Sequence, residues 1–239
     1  MNALTRRRVS MAARALDFCT ANPSDQASSK SVVARLDALV NRADALSVQQ
    51  RSGKVNEDIA RAERSAIRDT VRREHLRQLV RIAASAVKEH PELKQLFRLP
   101  KFSGPNHDFL TAAKDMLGTA TAQKPLLDSL GLGETFIDDL TQGIAGFEKA
   151  TEAGHIGRSA RVGASAGLDE IASEVLTVVG VLDGMNQVRF KGDPELLAAW
   201  NSASKVAGPF KKAAEAPVPA PTPAPAPTAA DGGETQAAA

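Results

Sequence analysis

Aliphatic side chains recur at alternating spacings of four and three through most of residues 3–207, and this pattern restricts the chain to packed helices. Val32, Leu36, Leu39, Ala43 and Leu46 form one such run; Ile59, Ala62, Ala66, Leu76, Val80, Ala83 and Val87 form another. Positions three and four apart share one face of an α-helix, so each run reads as an apolar seam that must find a partner. Composition agrees. The chain has eight Phe, one Trp and no Tyr, whereas sheets are enriched in aromatic and β-branched residues. The expected class is therefore all-α, a helical bundle.

Helix stop and start signals divide the pattern. Asn22-Pro23 ends a first helix over about 3–21, and a second is expected over 29–51, stopping near Ser52-Gly53. A third follows over 55–89, with Asp69 and Arg73 interrupting its seam at a spacing that suits an ion pair. His90-Pro91-Glu92 opens a short helix, and Asn106 is a suitable cap for a fourth long helix over 107–123. A fifth begins near Glu134 with Ile137, Leu140, Ile144 and Phe147 buried. A sixth, over 164–190, buries Leu168, Ile171, Val175, Val178, Leu182 and Met185. Asp193-Pro194-Glu195 starts the last. The domain is expected to span 1–208. Beyond it, 209–239 carries Pro at alternate positions from Pro217 to Pro227, which removes amide donors and predicts a disordered Pro/Ala-rich tail.

Punctuation recurs at offsets of about 102 to 107 residues. Asn22-Pro23 matches Lys124-Pro125. Arg51-Ser52-Gly53-Lys54-Val55 matches Arg158-Ser159-Ala160-Arg161-Val162, and His90-Pro91-Glu92-Leu93 matches Asp193-Pro194-Glu195-Leu196. Phe97 and Trp200 each lie six residues beyond their prolines. These matches predict an internal repeat over about 10–97 and 111–200, with two long helical hairpins packed as a four-helix bundle.

With 30 basic and 28 acidic residues, net charge is +2, so no global field draws the chain to nucleic acid or anionic lipid. Arg61, Arg64, Arg68 and Arg72 stand along one helix face, with Arg73, Arg77 and Arg81 in an offset row. Glu57, Asp58, Glu63, Asp69 and Glu74 are interleaved, which favours a salt-bridged surface over a phosphate-tracking one. A ferritin-like metal site needs two Glu-x-x-His pairs, and only Glu152 and His155 supply one, with Glu170 and Glu174 as further carboxylates. His75, His90 and His107 lack that spacing. Gly163/Gly167 and Gly180/Gly184 have a spacing that lets helices approach closely. No dinucleotide, phosphate-loop or nucleophile-elbow motif occurs, so no catalytic, cofactor-binding or metal-ligating residues are expected.

Cys19, the only cysteine, falls in step with Val9, Ala12 and Leu16 and reads as a small buried residue in a reducing, cytoplasmic setting. Thr5-Arg6-Arg7-Arg8-Val9-Ser10-Met11 resembles a twin-arginine signal. Arg14 and Asp17 interrupt the apolar stretch such a signal needs, so residues 3–21 read as a basic amphipathic helix. No segment is apolar enough to span a bilayer.

The runs RLDALVNRADAL, EHPELKQLFRLP, VLDGMNQVRF and DPELLAAW resemble segments of all-helical bacterial proteins without an assigned activity. The resemblance covers most of residues 10–205 and implies no functional residues. The reading that follows is a non-enzymatic helical interaction or scaffold protein, acting on a protein partner or by self-association. The alternatives are a ligand- or metal-binding bundle and a nucleic-acid-associated protein using the Arg-rich third helix.

Overall fold

The computed structural model describes residues 1–101 and 103–207, and all regular structure among them is helical. The expected tail over 209–239 lies outside the described residues. Helix α1 spans Ala3–Ala21. Its Asn2 cap accepts from the amide of Thr5 at 2.8 Å, and Arg189 donates to the carbonyls of Asn22 and Pro23 at the other end. A cation there complements the negative end of the helix dipole.

The two expected hairpins do not form. Helix α2 runs unbroken over Ala27–Thr70, straight through Ser52-Gly53, and continues through a π-helical turn at Val71–Leu76 into α3, Arg77–Ser85. After a short α4 (Leu93–Leu96), α5 (Asn106–Ala122) and α6 (Lys124–Ser129), a single helix α7 covers Phe136–Arg189, 54 residues. At 1.5 Å per residue it is roughly 80 Å long. The short α8 spans Pro194–Ala203, with Asp193 accepting from the amide of Leu196 at 3.0 Å as the sequence predicts.

Glycine weakens a helix by only about 1 kcal/mol where proline would break it, and both long helices occupy proline-free intervals. Gly53 is instead a contact point. A Cβ placed on it would stand 2.8 Å from the Arg161 amide nitrogen and 2.9 Å from the Gly157 carbonyl oxygen. One on Gly157 would stand 2.8 Å from the Glu57 amide nitrogen. Two antiparallel helices therefore meet backbone to backbone at Gly53 and Gly157, at a separation only glycine permits.

Each end of this helix pair is thickened into a lobe. In one, Met11, Ala12 and Ala15 of α1 pack with Leu36 and Leu39 of α2, Leu168, Ile171 and Val175 of α7, and Trp200 of α8. Phe18 stacks between Phe190 and Trp200, whose indole N–H donates to Asp183 at 2.7 Å. In the other, Phe109, Ala113 and Met116 of α5 pack with Leu76, Leu79, Leu93 and Phe97 and with Leu140, Ile144 and Phe147 of α7. Gly131, with φ +94, ends the short α6: the Leu132 amide reaches back to the Leu127 carbonyl at 2.9 Å, a turn that takes glycine at low cost. Between the lobes the chain is a bare two-helix waist.

Asn106 is the first residue of α5 rather than its cap; Pro105 holds that place without a side-chain bond, and the Asn106 amide oxygen accepts from Arg68 instead. The second seam is also reassigned at the waist. The buried line of α2 passes through Ala43, Gly53 and Ala60 to Val71, at spacings of ten, seven and eleven, close to multiples of the 3.6-residue turn. The three-four stripe drifts off that line, as a 3.5-residue repeat must on a straight helix. Ile59, Ala62 and Ala66, expected in the core, are exposed.

Candidate functional sites

Arg61, Arg64 and Arg68 project from one face of α2 and, with Ser65, Asp69 and Asn106, line a cleft of 280 Å³. Arg61 pairs with Glu57 at 3.4 Å and Asp58 at 3.6 Å. Lys54, bonded to Asp58 at 3.0 Å, holds that exposed carboxyl below its usual range, with Arg61 and Arg161 adding to the effect. Arg68 donates to the Asn106 side chain and the Gly104 carbonyl, both at 2.7 Å, and lies over the ring of Phe109 at 4.9 Å. Arg72 donates to the Pro100 carbonyl, and Arg73 pairs with Asp69 at 3.7 Å as the spacing predicts. The sequence row is thus divided: Arg72 fastens the loop before α5, and three of its members surround one cleft.

Arg64 differs from its neighbours. It is half-buried, its guanidinium lies 3.6 Å from where a Cβ on Gly154 would stand, and among the described residues it has no hydrogen-bond or ion-pair partner. Ser65 and Asn106 were not legible as cleft residues, because α5 reaches the row only through the fold.

The potential metal ligands are dispersed. Glu152 and His155 are both exposed; Glu174 is bonded to Arg35 at 2.6 Å; Glu170 is exposed on α7. His90 faces Glu92 at 3.2 Å, and the ring of His75 packs 5.5 Å from Phe136. Among the described residues no group of three or more His, Cys, Asp or Glu gathers as a metal site. No helix among them is long and apolar enough to cross a membrane.

A cleft of 490 Å³ beside Cys19 lies between α1 and the start of α2, lined by Leu16, Cys19, Ser29, Val33 and Ala34 among others. Cys19 is buried there, and desolvation pushes its thiol above the usual value of 9.0, against smaller opposite effects from Asn186 and Arg189. A thiol held neutral is an inert packing residue. The glycine pairs also sit apart from the sequence reading. Among the described residues nothing lies within 4 Å of a Cβ on Gly163, Gly180 or Gly184, whereas one on Gly167 would stand 2.9 Å from the Leu46 side chain of α2; backbone-to-backbone approach belongs to Gly53 and Gly157.

One surface stands out at the waist. Val48, Ser52, Val55, Ile59, Ala62 and Ala66 follow each other at spacings of four and three and are all exposed, Val48 at 69%, Val55 at 48% and Ile59 at 57%. Beside it, Ile59 and Ile156, the latter 63% exposed, flank a 290 Å³ groove between α2 and α7.

No protein-family description matches the chain, and comparison with curated proteins and with solved structures gives no significant match.

Proposed function

We propose that this chain is a non-enzymatic interaction protein, an elongated two-lobed spacer that self-associates through the outward stripe of α2. The exposed run from Val48 to Ala66 carries the reading. Its six positions repeat as the seam of a coiled coil, none is charged, and no helix among the described residues covers them. Such a seam on a soluble surface calls for a partner helix. The pattern is self-complementary: two copies paired antiparallel about residue 57 set Val55 on Ile59, Ser52 on Ala62 and Val48 on Ala66. That is the isologous contact a two-fold dimer requires, with small residues that let the helices approach.

Sedimentation velocity of the intact chain tests it. A dimer is expected, converting to monomer in Val55→Asp/Ile59→Lys with the helical circular dichroism unchanged, since both residues are exposed. A wild-type chain that stays monomeric at concentrations on the order of 0.1 mM refutes self-association. A single buried cysteine with no disulfide supports a reducing, cytoplasmic setting.

The internal repeat belongs to the same reading. In each half a leading helix (α1, α5) precedes a long one and a short terminal one (α4, α8). Glu57 and Arg161, bonded at 2.9 Å, are 104 residues apart, and so are the two glycines in contact. Each lobe takes its leading helix from one half and its terminal helix from the other. The chain then corresponds to a fused, exchanged dimer. Expressed alone, residues 1–105 should pair into a two-lobed homodimer; a folded monomer of that fragment would count against the repeat.

A further inference from the structure

We propose that the cleft at Arg61, Arg64 and Arg68 binds a small phosphorylated anion, with Arg64 as its principal ligand. This inference is independent of self-association. A half-buried guanidinium has lost part of its hydration, and an unpaired one has nothing in return. The other two arginines of the lining are engaged, Arg61 by Glu57 and Asp58 and Arg68 by Asn106 and Gly104, as are Arg73 by Asp69 and Arg161 by Glu57. Of the three arginines that line the cleft, Arg64 is the one whose donors no group among the described residues accepts.

The cleft is also fixed before any ligand arrives. The Arg64 side chain lies against α7, 3.6 Å from where a Cβ on Gly154 would stand, and hydrogen bonds together with the Phe109 ring hold Arg68. Rigid guanidinium forks match the oxygens of a phosphoryl group, and the Ser65 hydroxyl is a further donor. The cleft wall at Asn106 is the first turn of the 17-residue α5, whose positive end faces the cleft, while Asp108 of the same turn is outside the lining. Among the described residues Asp69 is the one carboxylate in the lining, and Arg73 pairs with it.

Size and surroundings select the ligand class. A volume of 280 Å³ takes a phosphoryl group and a small attached moiety. Among the described residues no aromatic side chain is in the lining for a base to stack on. Glu57 and Asp58, one turn away, oppose an extended polyanion that would have to track the whole row.

The test is isothermal titration of the full chain with inorganic phosphate and with pyrophosphate in chloride buffer at constant ionic strength. Saturable one-site binding is expected. Arg64→Gln should weaken it about tenfold or more, Arg64→Lys should recover part of that loss, and the exposed Arg81→Gln should leave it unchanged. All variants should keep the wild-type circular dichroism, since Arg64 makes no bond that the fold uses. Absence of saturable binding up to concentrations on the order of 10 mM, or equal affinity in Arg64→Gln, overturns the proposal. So does a DNA duplex that binds more tightly than pyrophosphate and depends on Arg64, which assigns the cleft to nucleic acid.

Discussion

The lobes and the waist of this molecule are held together by opposite uses of side-chain volume. In the lobes three or four elements converge on large residues: Trp200, Phe109, Phe147, Leu36 and Leu140 are all under 2% exposed. At the waist α2 and α7 alone meet among the described residues, and the contact residues shrink to Gly53 and Ala60 on one helix and Ala150, Gly157 and Ala164 on the other. A two-helix pair cannot enclose a large side chain from all sides, so stability there comes from close backbone approach and from polar ties across it. Arg161 to Glu57 at 2.9 Å and Gln50 to Ser165 at 2.6 Å are two of these. The lobes are therefore sensitive to lost volume and the waist to added volume.

Truncating Trp200 to alanine should have the largest effect, about 3–5 kcal/mol, because it empties a fully buried site and leaves the Asp183 carboxylate without its indole donor. Urea unfolding followed by circular dichroism measures it; a loss below about 1 kcal/mol would mean that this lobe is not close-packed. Gly157→Ala comes next. One methyl group placed 2.8 Å from the Glu57 amide nitrogen forces the helices apart, at an expected cost of about 1–3 kcal/mol. Gly154→Ala, three residues earlier in the same waist, meets Ala60 and Arg64 only at 3.6 Å and should instead be neutral or stabilising. Equal responses at the two glycines would mean that the backbone contact at Gly157 does not set the separation of the helices at the waist.

This division explains what could be read from the chain. Large aliphatic residues in step identified the lobes: Leu36, Leu39, Leu140, Ile144, Leu168, Ile171 and Val175 were expected in the core and are buried there. The first helix, the last helix and the Asp193 cap were also legible, because their signals are local. The waist was not. Gly53 has the composition of a helix stop, and only the partner backbone at 2.8 Å shows why a glycine stands inside α2. The proline-free intervals from Pro23 to Pro91 and from Pro125 to Pro194 held the relevant information, since each allows one uninterrupted helix. The arginine cleft was half legible: the row is written in the sequence, whereas Asn106 and Gly154 join it through contacts far apart in the chain.

On the outer face of a lobe, glycines with nothing near them should report intrinsic helix propensity alone. Gly180 and Gly184 lie within α7 with no atom inside 4 Å of an added Cβ, so alanine at each should stabilise by about 0.5–1 kcal/mol. A destabilised Gly180→Ala would reveal a close contact on that face, such as a partner helix, and would extend the waist's rule into the lobe.

The smallest effect concerns Cys19, a lobe residue that senses packing through its proton. Burial raises the thiol above 9.0 in the folded chain, while the unfolded chain ionises near that value. Between the two values the unfolded state has lost its proton and the folded state has kept it, so stability falls as pH rises through this window and is fully present below it. Unfolding free energy should therefore drop more steeply from about pH 8 to about pH 10 in the wild type than in Cys19→Ala. The thiol should also resist an aromatic disulfide reagent until urea opens the lobe. Rapid labelling of the native chain would show that α1 detaches readily from its lobe, and the lobes would then lose the close-packed character that separates them from the waist.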